Sequence, residues 1–123
     1  MGSGVIKILQ EKESEIERQV GAKVSVSNAF VKDKSKKRDF YYTDGFFVDS
    51  AQEIFSNPEL DIVVELMGGD EPAHSYIRQA MATGKHVVTA NKEVIAKFGV
   101  ELLEQATSNN VQLRFEASVG GGI

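Results

Sequence analysis

The chain has 123 residues, of which 41% are hydrophobic and 26% are charged, with a formal net charge of -4. These values are typical of one globular domain and give no indication of binding to nucleic acid or an acidic membrane, and no apolar run approaches the roughly 20 residues of a membrane span. The absence of cysteine excludes a disulfide framework, a thiolate metal site and a cysteine nucleophile, so the expected location is the cytoplasm.

The N-terminal part of the chain predicts a helix, a strand and a basic loop. Apolar side chains recur at helical spacing among lysines and glutamates over residues 4–20, and Gly21 is a suitable C-terminal stop. This pattern predicts one long amphipathic helix. Residues 24–31 alternate and are rich in β-forming side chains, so they predict a strand, which leads into a polar, basic loop at 32–39.

A short helix follows an aromatic stretch that is hard to assign. Residues 40–48 contain several aromatic side chains without a clear helical or strand period. Either Asp49 or Ser50 can then cap a short helix that runs through Phe55, because such side chains accept a hydrogen bond from the free N–H groups of a first turn. The Asn-Pro pair that follows is expected to end the helix.

The middle of the chain predicts a buried strand and a helix. Residues 61–67 form an apolar run of strand length that ends at Gly68 and Gly69, as expected for a strand buried on both faces of a parallel sheet. Residues 71–83 read as a helix, with a proline at its start and a glycine just past its end.

The last third predicts two strands with a helix between them. Residues 85–89 form a short β-rich run, and Asn91 opens a helical pattern that reaches about residue 109, with a possible break at Gly99. Residues 111–116 predict the last strand.

The predicted elements alternate from end to end, beginning with a helix. This alternation predicts an α/β fold in which a doubly wound parallel sheet lies between two layers of helices. The first helix of such a fold normally follows a central strand, so we expect the first strand to be missing from this chain. Residues 1–4 (MGSG) are then either the end of a glycine-rich turn between that strand and the helix, or a start methionine with a cloning scar.

Ligands of open α/β sheets bind beyond the carboxyl ends of the strands, so the residues that follow each strand are the candidate site. Four places qualify in this sequence: residues 2–4, residues 32–38, the pair Gly68 and Gly69, and residues 89–92. The two glycines would let a cofactor approach the backbone closely, and an ordinary turn would explain them as well.

Lys92 is the candidate catalytic residue. The helix dipole opposes a cation in the first turn at a cost of roughly 0.3–1 kcal/mol, so a lysine at this position suggests a function. Asn91 caps the helix and Glu93 offsets the charge, yet the lysine would project from the carboxyl edge of the strand. Folds of this class commonly bind dinucleotides there, and the lysine would then point toward the nicotinamide. A solvated surface lysine is the alternative.

The basic loop bears on the choice between NADP and NAD. Lys32 and four further bases follow the second strand, where a dinucleotide-binding fold recognises the adenosine ribose. The bases favour the 2′-phosphate of NADP, whereas Asp33 could accept the free hydroxyls of NAD. A solvated charge run is the third reading of this loop.

Two glutamates lie in or near predicted strands, where an unpaired carboxylate is costly to bury. Glu65 lies inside an apolar strand, so we expect it to have hydrogen-bond partners and a structural role. Glu116 lies near the end of the last strand, before a glycine-rich segment, where it could bind a cation or anchor a loop.

Four segments, taken in order, resemble the cofactor domain of homoserine dehydrogenases. They are residues 1–9 (MGSGVIKIL), 61–69 (DIVVELMGG), 84–92 (GKHVVTANK) and 115–123 (FEASVGGGI), and the third is the most specific. The resemblance implies a Rossmann-like doubly wound parallel sheet that lacks its first strand, with residues 1–123 forming a partial NAD(P)-binding domain and the substrate domain absent. It also implies an enzyme of amino-acid biosynthesis that interconverts homoserine and aspartate semialdehyde by hydride transfer with NAD or NADP.

The resemblance assigns roles to individual residues. Lys92 is implied to bind the substrate and to take part in proton transfer, and Gly2 to be the last glycine of a G-x-G-x-x-G fingerprint. Lys32 stands where the family commonly has an arginine that faces the 2′-phosphate. The implied cofactor-binding residues are Gly2, Ser3, Gly4, Lys32, Met67, Gly68, Gly69, Thr89, Asn91 and Lys92. A sodium or potassium ion is implied at Glu116, Val119, Gly121 and Ile123.

Two other functions stay open at this point. The chain could be a dinucleotide-binding or regulatory module without catalysis, or an inactive fragment that needs the missing strand to cover open sheet edges. The resemblance implies that the second catalytic lysine and the substrate-binding acids lie beyond residue 123. We therefore expect this chain alone to be inactive, and the parent enzyme to be a homodimer or larger.

Overall fold

The computed structural model describes residues 2–31 and 40–115, and it divides the chain into two compact units, residues 1–54 and 55–123. Both units contain helices and parallel strands, so the predicted α/β class is confirmed. Within the described residues, no helix has both the length and the apolar character needed to cross a membrane.

The first unit contains α1 (Gly2–Glu11), α2 (Glu13–Val20), β1 (Ala29–Phe30), β2 (Phe47–Val48) and all but the last residue of α3 (Ala51–Phe55). The strands β1 and β2 pair in parallel, with Ala29 opposite Phe47. The start of α3 is held by Glu53, whose Oε2 accepts the backbone N–H groups of Asp49 at 2.9 Å and Ser50 at 3.1 Å. A glutamate in the first turn thus reaches back to the residues before the helix.

The single helix predicted over residues 4–20 is in fact two helices, because Lys12 leaves the helical region with φ -110° and ψ 24°. The interruption is local, since the N–H of Lys12 still donates to the carbonyl of Ile8. One residue outside helical geometry does not disturb the apolar period, so the pattern could not show it. The predicted stop is confirmed, because Gly21 has φ 85° and its N–H donates to a carbonyl of the last turn.

The strand β2 lies in the aromatic stretch that the sequence pattern left unassigned, whereas the strand predicted over 24–31 is reduced to β1. Phe40, Tyr42, Phe46 and Phe47 pack together with ring centroids 4.8–6.2 Å apart. Aromatic rings pack in tilted and edge-to-face arrangements without any sequence period. This clustering is therefore a tertiary feature that periodicity could not predict.

The second unit contains β3 (Ile62–Glu65), α4 (Ala73–Ala82), β4 (His86–Thr89), α5 (Lys92–Ser108) and β5 (Leu113–Phe115). Its three strands are parallel, in the order β3-β4-β5. Each element lies within the range predicted for it. The break considered at Gly99 is absent, because one interior glycine costs a helix only about 1 kcal/mol and packing can offset that cost.

The helices α4 and α5 cover one face of this sheet. Val87 and Thr89 share that face of β4 and have no exposed surface. Ile62 and Val64 alternate to the opposite face of β3 and are 55% and 45% exposed. The expectation that β3 is buried on both faces is therefore wrong. An apolar run shows that a strand suits burial, but covering a second face depends on elements distant in sequence.

The core of the second unit lies between the two helices and the sheet. Ile77 of α4 and Leu102 of α5 are almost fully buried there. Lys85 is also buried, at the start of β4, where its Nζ donates to the carbonyl oxygens of Asn57 at 2.7 Å and Leu60 at 3.2 Å. These hydrogen bonds compensate the buried cation and fix the loop that precedes β3.

Candidate functional site

The carboxyl ends of β3 and β4 lie side by side, because the strands are parallel and Glu65 is opposite Thr89. The segments that follow these strands therefore meet at one edge of the sheet, where ligands of α/β folds bind. Met67, Gly68 and Gly69 follow β3, and the start of α5 follows β4.

Glu65 connects the two strand ends. It is 5% exposed, and its Oε1 accepts a hydrogen bond from the hydroxyl of Thr89 at 2.5 Å. Its Oε2 accepts the backbone N–H of Met67 at 2.8 Å. Both carboxylate oxygens thus have donors, which confirms that this buried acid has hydrogen-bond partners.

Asn91 holds the loop after β3 against the start of α5. Its Oδ1 accepts the N–H of Val94 at 3.1 Å, so it caps the helix as predicted. The side-chain Nδ2 is left to donate, and it lies 3.1 Å from the carbonyl oxygen of Met67 and 2.6 Å from that of Gly69. The backbone N–H of Asn91 donates to Thr89 Oγ1 at 3.0 Å, which joins this residue to the Glu65 hydrogen bonds.

The two glycines of the loop differ in what they require. Gly69 has φ 80°, a conformation that residues with a side chain rarely adopt, so the backbone itself needs glycine there. Gly68 has no positive φ, and among the described residues no atom other than those of its chain neighbours lies within 4 Å of the point where a Cβ would sit. Packing against the described residues therefore does not explain Gly68, which is exposed and open to a ligand.

Lys92 is the first residue of α5 and is exposed at the same edge of the sheet. The hydrogen bonds of the preceding Asn91 determine where this first turn lies relative to Met67 and Gly69. Glu93 in the first turn is the acidic neighbour that offsets its charge. The assignment of Lys92 as a catalytic residue stays a prediction.

An ion pair that the sequence did not reveal lies next to this loop. The carboxylate of Asp70 is 2.6 Å from the ammonium of Lys97 on α5. The hydrogen bond from Lys97 lowers the pKa of Asp70, and the same hydrogen bond raises the pKa of Lys97. No sequence signal pairs two residues 27 positions apart.

A second cluster joins α4 to α5. The imidazole of His74 is buried and stacks on Phe98, with ring centroids 3.8 Å apart. Its Nδ1 is 3.3 Å from Glu71, and its Nε2 is 3.3 Å from Glu101 but without hydrogen-bond geometry. The hydrogen bond from Ser75 is the main cause that lowers the pKa of Glu71. This cluster packs two helices together and is separate from the network around Glu65.

The structure brings one group of the predicted cofactor residues together at the edge of β3 and β4: Met67, Gly68, Gly69, Thr89, Asn91 and Lys92. Another group lies in the first turn of α1, in the first unit: Gly2, Ser3 and Gly4. The residues predicted for NADP recognition and for a cation lie outside the described residues: Lys32, Glu116, Val119, Gly121 and Ile123.

Comparison with known proteins identifies relatives of the whole chain. Residues 1–116 match the family model described as homoserine dehydrogenase, NAD binding domain. The homoserine dehydrogenase of Bacillus subtilis is 40% identical over 123 residues, which are 100% of this chain and 28% of that protein. The homoserine dehydrogenase of Synechocystis is 41% identical, with the same coverage of both chains.

The fold also matches part of a solved homoserine dehydrogenase. The crystal structure of the S. aureus enzyme at pH 6.5 aligns with a TM-score of 0.87 and 40% identity, covering 98% of this chain and 30% of that one. The chain thus spans less than a third of the length of these relatives.

Proposed function

Because this chain belongs to the homoserine dehydrogenase NAD-binding domain family, we propose that it forms the dinucleotide-binding part of an enzyme that interconverts homoserine and aspartate semialdehyde. NAD or NADP is the cofactor of a domain of this family. The network of Glu65, Thr89 and Asn91 carries the proposal, because it unites the two segments that follow β3 and β4 at the ligand-binding edge of the sheet.

The residues at this edge fit the nicotinamide half of a dinucleotide. The exposed backbone at Gly68 allows close approach of a ribose or a flat ring. Asn91 orients the carbonyl groups of Met67 and Gly69 beside it. The dinucleotide, when bound, accepts or supplies the hydride.

Lys92 would act on the substrate oxygen from the start of α5. As homoserine is oxidised, the neutral amine of Lys92 would accept the proton of the homoserine hydroxyl group. In the reverse direction the ammonium of Lys92 would return a proton to the carbonyl oxygen of aspartate semialdehyde. The exposed position of Lys92 beside the loop of Gly68 and Gly69 supports this role.

Several finer assignments belong to the same proposal. Gly2, Ser3 and Gly4, at the start of a helix, would bind the cofactor phosphates, since helix N-termini favour anions. Lys32 would contact the 2′-phosphate of NADP, and a monovalent cation would bind at the C-terminal segment that begins with Glu116. Three predictions are unchanged: that residues 1–123 form one partial NAD(P)-binding domain, that the protein is cytoplasmic, and that the parent enzyme is a homodimer or larger.

Two measurements test the proposed function. Calorimetric titration of the 123-residue chain with NADPH and NADH tests binding directly. A chimaera in which this chain replaces the aligned part of the Bacillus subtilis enzyme tests whether homoserine drives reduction of NADP or NAD. Binding without turnover in an otherwise folded chimaera would indicate a dinucleotide-binding module, and absence of binding to either nucleotide would contradict the proposal.

The role of Lys92 is tested in the same chimaera. We expect Lys92→Ala to lower kcat by roughly a hundredfold or more, which is the usual contribution of a positioned proton-transfer group. Arg78→Gln is the matched control, because Arg78 is an exposed cation on α4 away from this edge. Equal turnover of the Lys92→Ala and Arg78→Gln chimaeras would exclude Lys92 from the reaction.

A further inference from the structure

We propose that Glu65 is a positioning residue of the dinucleotide site. Its buried carboxylate sets the placement of the loop of Met67, Gly68 and Gly69 relative to the start of α5. This inference rests on the proposed function, because it concerns how the same site is held in shape.

The first argument is the cost of placing a carboxylate at this position. Glu65 is 5% exposed and is preceded in β3 by apolar side chains. An apolar residue of similar volume would fill such a strand position without the penalty of removing a charge from water. Packing alone therefore does not account for an acid at the end of β3.

The second argument is the direction of the hydrogen bonds. An ionised carboxylate only accepts, so the hydroxyl of Thr89 must donate its single proton to Glu65. The oxygen of Thr89 is then available to accept the N–H of Asn91. In this way Glu65 determines the orientation of the Thr89 hydroxyl, which in turn accepts a hydrogen bond from Asn91, the residue that precedes α5.

The third argument is that the network closes on itself. Met67 donates its N–H to Glu65, and its carbonyl oxygen accepts from the side chain of Asn91. The N–H and the carbonyl group of Met67 are therefore both hydrogen-bonded, the first to the end of β3 and the second to the residue before α5. Glu65 thus adds a second connection between this loop and the start of α5, beside the direct hydrogen bond from Asn91 to Gly69.

An isosteric amide disrupts this network in a definable way. In Glu65→Gln one oxygen becomes an NH₂ group, which can only donate. If that group faces Met67, two donors oppose each other. If it faces Thr89, the hydroxyl of Thr89 loses its acceptor. Either orientation leaves one donor without its acceptor, whereas the side-chain volume is nearly unchanged.

The test uses the 123-residue chain with Glu65→Gln and, as a matched control, Glu104→Gln on the exposed surface of α5. Amide hydrogen exchange reports whether Met67 and Asn91 lose protection. Calorimetry at a temperature where each variant is folded compares NADPH with 2′-phosphorylated ADP-ribose (called ADP-ribose below), which lacks only the nicotinamide ring. A general loss of structure would weaken the binding of both ligands. A positioning role near the nicotinamide predicts weaker binding of NADPH alone.

We expect Glu65→Gln to accelerate exchange at the Met67 and Asn91 amides and to raise the Kd of NADPH roughly tenfold, with the Kd of ADP-ribose within about twofold of the wild-type value. The Glu104→Gln control should change none of these. The proposal would be overturned by unchanged hydrogen exchange at the Met67 and Asn91 amides, or by an equal rise in the Kd values of NADPH and ADP-ribose.

Two other outcomes can also be interpreted: a Glu65→Gln variant that does not fold, and a wild-type chain that does not bind the dinucleotide. If Glu65→Gln does not fold, Thr89→Val removes the same bridge from the other side and should raise the Kd of NADPH while leaving that of ADP-ribose unchanged. If the wild-type chain binds no nicotinamide dinucleotide, the proposed function fails, and exchange at Met67 and Asn91 alone decides whether Glu65 positions these segments.

Discussion

The carboxylate of Asp70 lies 2.6 Å from the ammonium of Lys97 and joins the residue after Gly69 to the second turn of α5. Their hydrogen bond lowers the pKa of Asp70 and raises that of Lys97. Both side chains are solvent-accessible, so salt screens the pair and its stabilisation is small.

This ion pair predicts a pH-dependent contribution to stability. Because the pKa of Asp70 is lowered in the folded state, its contribution is complete above the ordinary value of 3.8 and is lost as the pH falls through the folded pKa. At neutral pH we expect Lys97→Met to lower Tm slightly, and the difference from wild type to shrink in acid and in high salt. Thermal unfolding of both proteins measures this, and a difference that persists in strong acid would contradict the assignment.

Removing Asn91 should destabilise the second unit. Asn91→Ala loses the helix cap and leaves the carbonyl groups of Met67 and Gly69 without their donor, which we expect to cost about 2 kcal/mol in free energy of unfolding. Asn91→Asp keeps the cap but places a carboxylate against two carbonyl oxygens. Urea denaturation should therefore find the Asp variant less stable than wild type. Full stability of that variant would argue against the hydrogen bonds from Asn91 to the carbonyl groups of Met67 and Gly69.

The adjacent glycines should respond differently to alanine. Gly69→Ala forces a side chain into φ 80°, so we expect a loss of roughly 1–2 kcal/mol in stability. The added methyl group of Gly68→Ala meets no atom of the described residues beyond its chain neighbours within 4 Å, so this variant should leave Tm nearly unchanged while it weakens NADPH binding. Thermal unfolding and calorimetric titration of the two variants separate a backbone requirement from a ligand requirement, and an unchanged Kd in Gly68→Ala would remove the evidence for ligand contact there.

Two neighbouring leucines of α5 provide a control for the core. Leu102 is completely buried, whereas Leu103 is 56% exposed. Leu102→Ala should lower the free energy of unfolding by about 2–5 kcal/mol, because it leaves a cavity as well as removing apolar contacts. Leu103→Ala should have a much smaller effect. Similar losses for both variants by chemical denaturation would contradict the packing described for α5.

The second unit could be predicted well because its signals are local. The cap at Asn91 acts on Val94, three residues away, and the stop after α4 occurs at Gly84, whose φ is 86°. Apolar periods and capping residues express interactions within one or two turns. The first unit was predicted less well, since β2 depends on rings of Phe40 and Tyr42 that pack without a period.

Local patterns and motifs in the sequence are enough to predict the α/β class, the order of elements from β3 to β5, the family and the edge at which the candidate residues lie. The hydrogen bonds that hold this edge are tertiary contacts: Glu65 accepts from Thr89, 24 residues away, and Asp70 pairs with Lys97, 27 residues away. The exposure of Ile62 likewise depends on which elements cover β3. Local patterns record contacts within a few residues, whereas these contacts depend on which strands become neighbours and which faces other elements cover.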